Sequence, residues 1–130
     1  MLLIKTYLDK SSIHGIGVFT DEFIKKGTVV WEFNPLVDVI LTEKQLNELP
    51  EVTRKFIEDH GFPYPFGANN HCLSLDHAQY MNHSDTPNID GAGDKNVALQ
   101  DIPKGTELTD NYYLYEHRAN ELEKITLTIS

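Results

Sequence analysis

The segment NHSDTPN, residues 82–88, concentrates polar side chains that can do chemistry. Its consecutive His83, Ser84 and Asp85 are residue types that serve in acid–base catalysis or in metal binding. Asn, Ser, Asp and Pro are also the residues that close turns through local side-chain to backbone hydrogen bonds. A catalytic histidine, a metal loop and a simple turn are therefore three alternatives, and the segment by itself favours the turn.

A metal site is poorly supported by the spacing of the candidate ligands. His71, His77 and His83 recur every six residues, with Cys72 and Asp76 nearby. Ligand pairs on a helix need a separation of three or four residues, and pairs on a strand need an even step of two, so a spacing of six fits neither. Cys72 is the only cysteine, which rules out an intramolecular disulfide and a cysteine-rich zinc cluster and is typical of a reducing, intracellular compartment. We predict no metal.

Nucleophilic and phosphate-binding motifs are equally weak. No serine lies in a Gly-x-Ser-x-Gly turn, and Cys72 has no glycine pattern around it. The glycines of HGIGVF, Gly15 and Gly17, lack the third glycine of a dinucleotide fingerprint and precede a predicted strand instead of a helix. They indicate a tight turn whose backbone is not shielded by side chains.

Three motifs, taken in order, resemble one family. They are GIGVF at residues 15–19, NHSDTPN at residues 82–88 and GTELTDNY at residues 105–112. Their types and order are similar to those of the SET domain of protein lysine methyltransferases. The resemblance extends over roughly residues 1–115, because DEFIKKGTVVWEF and NVALQDIPKGTEL also match segments of that family.

The resemblance implies a fold and a cofactor site. The fold would be mainly β, built from several small β-sheets with a C-terminal pseudoknot and a short helical insert. S-adenosyl-L-methionine would lie against the backbone of Ile16 and Gly17. Asn82 would hold the amino-acid end of the cofactor through its amide, and His83 would contact the adenine through its backbone.

The resemblance also implies a transfer point, at Tyr112. A tyrosine oxygen there would help to align the methyl donor with a lysine amine, so that no strong base is needed. Tentative substrate-channel residues are Tyr80, Asp110, Tyr113 and Tyr115. Ser84, Pro87 and Asn88 are expected to fix the loop.

Departures from the family pattern leave part of the function open. Many members have an aromatic residue where this chain has Asp110, an acidic residue where it has Asn111, and an arginine where it has Gln79. The number of methyl groups added is therefore undetermined, and a catalytically weak SET-like module that binds a peptide or the cofactor is the alternative. Without a cysteine-rich flank, the tail from Tyr113 or a second subunit would have to close the cofactor site. A homodimer is thus a further expectation.

The charge of the chain indicates its partners. Asp and Glu number 20 against 11 Lys and Arg, a formal net charge of −9. An acidic surface repels nucleic acid and anionic lipid and attracts a basic, lysine-containing protein or peptide, although it also serves solubility.

The sequence contains no recognisable targeting segment. The apolar run at the start, in MLLIKTYLDK, is too short for a signal peptide, and no apolar run could span a bilayer. We expect an intracellular protein, cytoplasmic or nuclear, that uses neither a membrane nor nucleic acid.

The elements that must position these residues are short. Hydrophobic patterning predicts strands at LLIKTYL, IGVFT, VVWEF, VDVIL, NVALQ and GTELT. A capping box at Thr42 and Gln45 predicts a helix with Leu46 and Leu49 on its inner face. Pro50 starts a second helix that ends at Gly61, with Val52, Phe56 and Ile57 at helical spacing. We predict one domain over residues 1–130, with a variable insert at about 42–70 and a tail, partly helical, at 113–130.

An internal similarity accompanies this pattern. DEFIKKGTVV at residues 21–30 and QDIPKGTELT at residues 100–109 share a polar turn with Lys-Gly that leads into a strand. It predicts two similar hairpins and is too short to establish a repeat.

Overall fold

The computed structural model describes residues 1–64, 69–91 and 95–111 of the chain. The strands within these residues are β1 (Thr6–Lys10), β2 (Ile16–Thr20), β3 (Val29–Glu32), β4 (Asp38–Thr42), β5 (Phe62–Pro63), β6 (Asn70–Ser74), β7 (Asn82–His83), β8 (Ile89–Asp90), β9 (Lys95–Ala98) and β10 (Glu107–Asp110). The helices are α1 (Glu43–Asn47), α2 (Glu51–His60) and a single 3-10 turn at His77–Tyr80.

The strands form three small sheets. Their orders are β1-β2-β10-β7, β3-β9-β8 and β4-β6-β5. Strand β10 is antiparallel to β2 and parallel to β7, with Thr109 opposite Asn82 and Asp110 opposite His83. The predicted fold, mainly β with several small sheets and a short helical insert, is confirmed. Strand β10 therefore lies between β2, which follows the glycine turn at residues 15–17, and β7, which contains Asn82 and His83.

The two Lys-Gly segments do not form the predicted hairpins, because β2 and β3, like β9 and β10, lie in different sheets. The two segments contact each other instead. Ile24 and Ile102 exchange backbone hydrogen bonds of 2.9 and 2.7 Å. Three residues beyond each isoleucine is a glycine with positive φ, +86° at Gly27 and +88° at Gly105. Each glycine N–H donates to the strand that precedes the other turn, Gly27 to Ala98 and Gly105 to Thr20, both at 2.8 Å. The similarity noticed in the sequence therefore reflects two equivalent turns that support one another.

Two apolar clusters form the core. The larger lies between the sheets and contains Val18, Ile24, Val30, Ile89, Ala98, Ile102 and Leu108. The smaller contains Trp31, Tyr64 and Cys72. The Trp31 Nε1–H donates to Ser74 Oγ at 3.3 Å, and Ser74 donates to Asp38 Oδ1 at 2.7 Å. Trp31 is thus a packing residue with a satisfied indole N–H.

The helical insert begins and ends where the sequence predicts. Thr42 and Gln45 form the capping box, and α2 runs from Glu51 until Gly61, whose N–H caps the Ile57 carbonyl. Of the three apolar residues that the sequence places at helical spacing in α2, Ile57 is buried, whereas Val52 is 84% exposed and Phe56 is 45% exposed. Phe56 stacks instead on His60 of the same helix, with ring centroids 4.2 Å apart.

One further expectation needs correction. The first strand begins later than LLIKTYL, at Thr6, and Leu2 makes only an isolated bridge to Trp31. Pro63 pairs opposite His71, which is possible because β5 lies at a sheet edge where proline needs no N–H donor. The predicted tail helix lies outside the described residues. No helix among those described is long and apolar enough to cross a membrane.

Candidate active site

Asn88 joins the Asn-His segment to β10. Its Nδ2 donates to the Glu107 carbonyl at 2.8 Å, and its Oδ1 accepts from the Thr109 N–H at 2.9 Å. The residue is only 8% exposed. Its side chain supplies the hydrogen bonds that a neighbouring strand would otherwise give to two buried backbone groups. In the same loop the Ser84 N–H donates to the Asp110 carbonyl at 3.0 Å. These bonds fix the segment of residues 82–88 beside β10.

The Glu107 side chain is hydrogen-bonded to residues around the glycine turn at residues 15–17. Its carboxylate accepts from Ser11 Oγ at 2.8 and 2.9 Å and from Asn82 Nδ2 at 3.0 Å. It also occupies the space next to Gly17, where an added Cβ would lie 2.7 Å from Glu107 Cδ. Glycine at position 17 therefore lets the Glu107 carboxylate approach this closely, and Gly17 is not among the residues that line the cleft described below.

Asn82 ties the glycine turn to the parallel strand pair. Its Nδ2 is also within hydrogen-bond distance of the carbonyl oxygens of His14, 3.0 Å, and Ile16, 3.2 Å. Because all three neighbours of this atom are acceptors, it must be the nitrogen of the amide. Both N–H groups are thus used within the chain, and Oδ1 is the atom with which Asn82 can accept a hydrogen bond from a ligand.

A cleft opens between the glycine turn and the end of α2. One part, of about 600 Å³, is lined by His14, Gly15, Ile16, Asp59, His60, Gln79, Tyr80, Met81 and Asn82. A second part, of about 390 Å³, shares most of these residues and adds His83 and Asp110. These volumes fall in the range of about 300–1,000 Å³ that is usual for small-molecule sites.

A narrow pocket of about 30 Å³ adjoins this cleft. It is lined by Trp31, Phe62, Ala78, Met81, Gly91, Asn96 and Asp110. Phe62, Ala78, Met81 and Asp110 line the cleft as well, so the two cavities share a wall. The pocket is mainly apolar and admits a group no larger than a few atoms.

Asp110 stands at this shared wall. Burial raises the pKa of its carboxyl from 3.8 to about 7, although a hydrogen bond from its own backbone N–H acts in the opposite direction. A Cβ added at Gly91 would lie 3.3 Å from Asp110 Oδ2, so the backbone of residue 91 packs closely on the carboxylate. A carboxyl that changes charge near neutral pH is thus placed between the cleft and the pocket.

The histidines have separate surroundings. His83 Nε2 lies 3.6 Å from Asp85 Oδ1, its side chain is half exposed, and its backbone pairs with Asp110. His77 Nδ1 is hydrogen-bonded to Thr6 Oγ1 at 2.9 Å, and His60 packs edge-on against Tyr80 with centroids 5.7 Å apart. Among the described residues no three His, Cys, Asp or Glu side chains are grouped to hold a metal.

The structure brings together most of the predicted site that it describes. Ile16, Tyr80, Asn82, His83 and Asp110 all line the cleft. Tyr80 does not line the narrow pocket, whereas Asp110 does. The predicted Tyr112, Tyr113 and Tyr115 lie outside the described residues.

Sequence reasoning missed several of the described site residues. Asp59, His60, Asn96 and Glu107 are polar examples. Asn96 gave a weak signal, since it is a polar residue in an otherwise apolar strand pattern. Asp59 and His60 gave none, because the end of a helix is an ordinary place for polar residues.

The small sheets, the parallel β7 and β10 pair and the cleft beside the glycine turn define a class of protein, the SET domain. The model of the SET-domain family matches residues 15–113, and the chain therefore belongs to that family. A crystal structure described as a "putative histone methyltransferase" of Plasmodium falciparum is similar, with a TM-score of 0.58 and 26% sequence identity. That similarity covers 85% of this chain and 95% of the Plasmodium chain. No curated protein matches the sequence significantly.

Proposed function

We propose that this protein transfers a methyl group from S-adenosyl-L-methionine to the ε-amine of a lysine in a protein substrate. The observation that carries the proposal is the pair of neighbouring cavities. The larger cleft has the size of a small-molecule site, and the narrow pocket has the size of an alkylamine head. A donor in one and an acceptor in the other would meet at the wall that contains Asp110.

The cleft residues fit the cofactor. Asn82 Oδ1 and the Asp59 carboxylate are acceptors suited to an amino group and to ribose hydroxyls. Tyr80 and His60 present aromatic surface, and the exposed backbone next to Ile16 allows close approach. In this proposal these groups hold the cofactor, while His83 contributes through its backbone.

Bound S-adenosyl-L-methionine supplies an electrophilic methyl group on a positive sulfur. The chain's own contribution is alignment and exclusion of water. A lysine amine must be neutral to attack, although its ordinary pKa is about 10.4. The apolar walls formed by Trp31, Phe62 and Met81 disfavour the ammonium form by desolvation. Tyr112 is proposed, from family membership, to stand at the transfer point.

The substrate is proposed to be basic and to contain the target lysine. The formal net charge of −9 favours such a partner and disfavours nucleic acid and anionic membranes. The segment from residue 113 onward, or a second copy of the chain, is proposed to close the cofactor cleft.

Two measurements test the proposal. Calorimetry with S-adenosyl-L-methionine or its demethylated product should show binding at sub-millimolar concentration. Radiolabelled cofactor should then label lysine-rich proteins, and the label should disappear in Tyr112→Phe. Absence of cofactor binding would overturn the proposal, whereas binding without transfer to any candidate would favour a SET-like binding module. Asp21→Asn, an exposed turn residue paired with Lys104, is the matched control and should retain both activities.

A further inference from the structure

Glu107 lies beside the cleft, although it is not among the residues that line it. Its carboxylate accepts from Ser11 Oγ at 2.8 and 2.9 Å and from Asn82 Nδ2 at 3.0 Å. The Ser11 oxygen in turn accepts the backbone N–H groups of Ile13 and His14, at 2.9 and 3.3 Å. These hydrogen bonds fix the carboxylate between the loop before the glycine turn and the side chain of Asn82.

The amide of Asn82 has one orientation that suits its neighbours. A primary amide carries two N–H donors on its nitrogen and an acceptor on its oxygen. Nδ2 lies near three acceptors, which are the Glu107 carboxylate and the carbonyl oxygens of His14 and Ile16. Rotation of the amide by about 180° would bring Oδ1 against these same oxygens. The carboxylate resists that rotation most, because it is the charged acceptor and charge-assisted hydrogen bonds are roughly twice as strong as neutral ones.

This orientation determines what Asn82 offers to a ligand. Asn82 lines the cleft, and no donor among the described residues is hydrogen-bonded to its Oδ1. An amide that donates to a carboxylate also becomes more polarised, so its oxygen accepts more strongly. Asn82 therefore presents an oxygen to the cleft, which favours an amino group at this point and disfavours a carboxylate.

We propose that Glu107 is a positioning residue that holds the Asn82 amide in this orientation and so makes the cleft selective for a ligand with an amino group. The proposal rests on the proposed function, in which Asn82 holds the amino-acid end of the cofactor. It adds Glu107, and Ser11 behind it, to the residues on which the choice of cofactor depends. Neither residue needs to touch the cofactor, because both act through the Asn82 amide.

The test compares two ligands in calorimetry of the full chain. They are S-adenosyl-L-homocysteine, the demethylated product, and its deaminated analogue, in which hydrogen replaces the amino group. The wild type should bind the amino compound at least about tenfold more tightly. Glu107→Gln keeps the size of the side chain but removes the charged acceptor of the Asn82 amide. It should reduce the affinity for the amino compound at least about fivefold and leave that for the analogue within about twofold.

Three further variants sharpen the comparison. Ser11→Ala removes the hydroxyl that holds the carboxylate, and it should lower the preference for the amino compound by less than Glu107→Gln does. In Asn82→Ala the preference should be lost, and Glu107→Gln should not change it further in that background. Asp21→Asn, in the exposed turn paired with Lys104, is the control and should bind both ligands as the wild type does.

NMR of the free protein gives a readout that needs no ligand. The Nδ2 protons of Asn82, assigned by their loss in Asn82→Ala, should lie downfield in the wild type because their acceptor is charged, and should move upfield in Glu107→Gln. The dispersion of the same spectra shows whether each variant is folded.

The outcomes separate this inference from the proposed function. Equal losses for the two ligands in a folded Glu107→Gln protein, or an unchanged preference, would overturn the positioning role, while cofactor binding and methyl transfer would stand. If Glu107→Gln does not fold, Ser11→Ala decides, and a preference equal to that of the wild type would overturn the inference. A wild type that binds neither compound would overturn the proposed function and, with it, the selectivity inferred here.

Discussion

The carboxylate of Glu107 lies where a side chain on residue 17 would have to be. A Cβ built on Gly17 would be 2.7 Å from Glu107 Cδ and 3.2 Å from Ser11 Cβ. The sequence resemblance places Gly17 against the cofactor. In the structure this glycine lets the turn at residues 15–17 pack on β10. The stability of the fold therefore depends at this position on one internal contact, between residue 17 and Glu107.

Gly17→Ala should destabilise the fold by about 1–3 kcal/mol, because the methyl group overlaps the Glu107 side chain in a packed environment. Glu107→Ala removes that obstacle. The double variant should therefore be more stable than the sum of the two single effects, with a coupling of about 0.5–3 kcal/mol in urea unfolding.

Gly15→Ala provides the matched control for this cycle. Gly15 has φ of +49° but has no atom within 4 Å of an added Cβ. Its substitution should cost about 1–2 kcal/mol through backbone strain alone. That cost should not change when Glu107→Ala is added, so coupling at Gly15 as large as at Gly17 would contradict the contact explanation.

A second prediction concerns Asn88, which satisfies two backbone groups of β10. Asn88→Ala leaves the Glu107 carbonyl and the Thr109 N–H without these partners, and it should cost roughly 2–4 kcal/mol. Thermal or urea unfolding measures this cost. Thr86→Ala in the same loop is the control, since its side chain is exposed and makes only a 3.4 Å contact with Ser84 Oγ. Equal losses in the two variants would argue against Asn88 as the specific link.

Signals that act over a few residues were sufficient to predict much of this fold. The capping box at Thr42, the stop at Gly61 and the strand at Ile16–Thr20 each depend on near neighbours in the chain. Their chemistry is therefore visible in the sequence itself.

The features that could not be predicted depend on distant contacts. Ser11 and Glu107 are 96 residues apart, and no local pattern pairs them. Both Phe56 and Ile57 of α2 fit helical spacing, and only packing against the rest of the fold decides that Ile57 is the buried one. Asn96 and Asp110 become a site only when β9 and β10 are placed around Trp31 and Phe62.

A third prediction concerns the thiol of Cys72, which is buried in the smaller core cluster. Burial, with the nearby charge of Asp38, raises its pKa from 9.0 to about 12. Since the thiolate is the reactive form, iodoacetamide should not label folded Cys72 at about pH 8. Mass spectrometry should find label only after denaturation. In Val52→Cys, the added thiol on the exposed face of α2 should react promptly while Cys72 stays unmodified, and rapid labelling of Cys72 would show that the cluster opens.

The last prediction concerns Asp110 and the pH dependence of stability. Its pKa is raised from 3.8 to about 7 in the folded protein, so the native state retains a proton that the unfolded state has lost between these values. Stability attributable to Asp110 therefore falls as pH rises through this window and is lowest above about pH 7. Three pKa units correspond to an upper limit of about 4 kcal/mol.

Asp110→Asn removes the titration while keeping the shape of the side chain. The variant should be more stable than the wild type at about pH 8, and the two should converge toward about pH 4, where both side chains are neutral. Urea unfolding at both pH values measures the difference. His14, Asp59, His60 and His83 line the same cleft and are present in both proteins, so the comparison isolates the effect of residue 110. A variant that is less stable than the wild type at the higher pH would mean that the carboxylate has a favourable partner that offsets the cost of its burial.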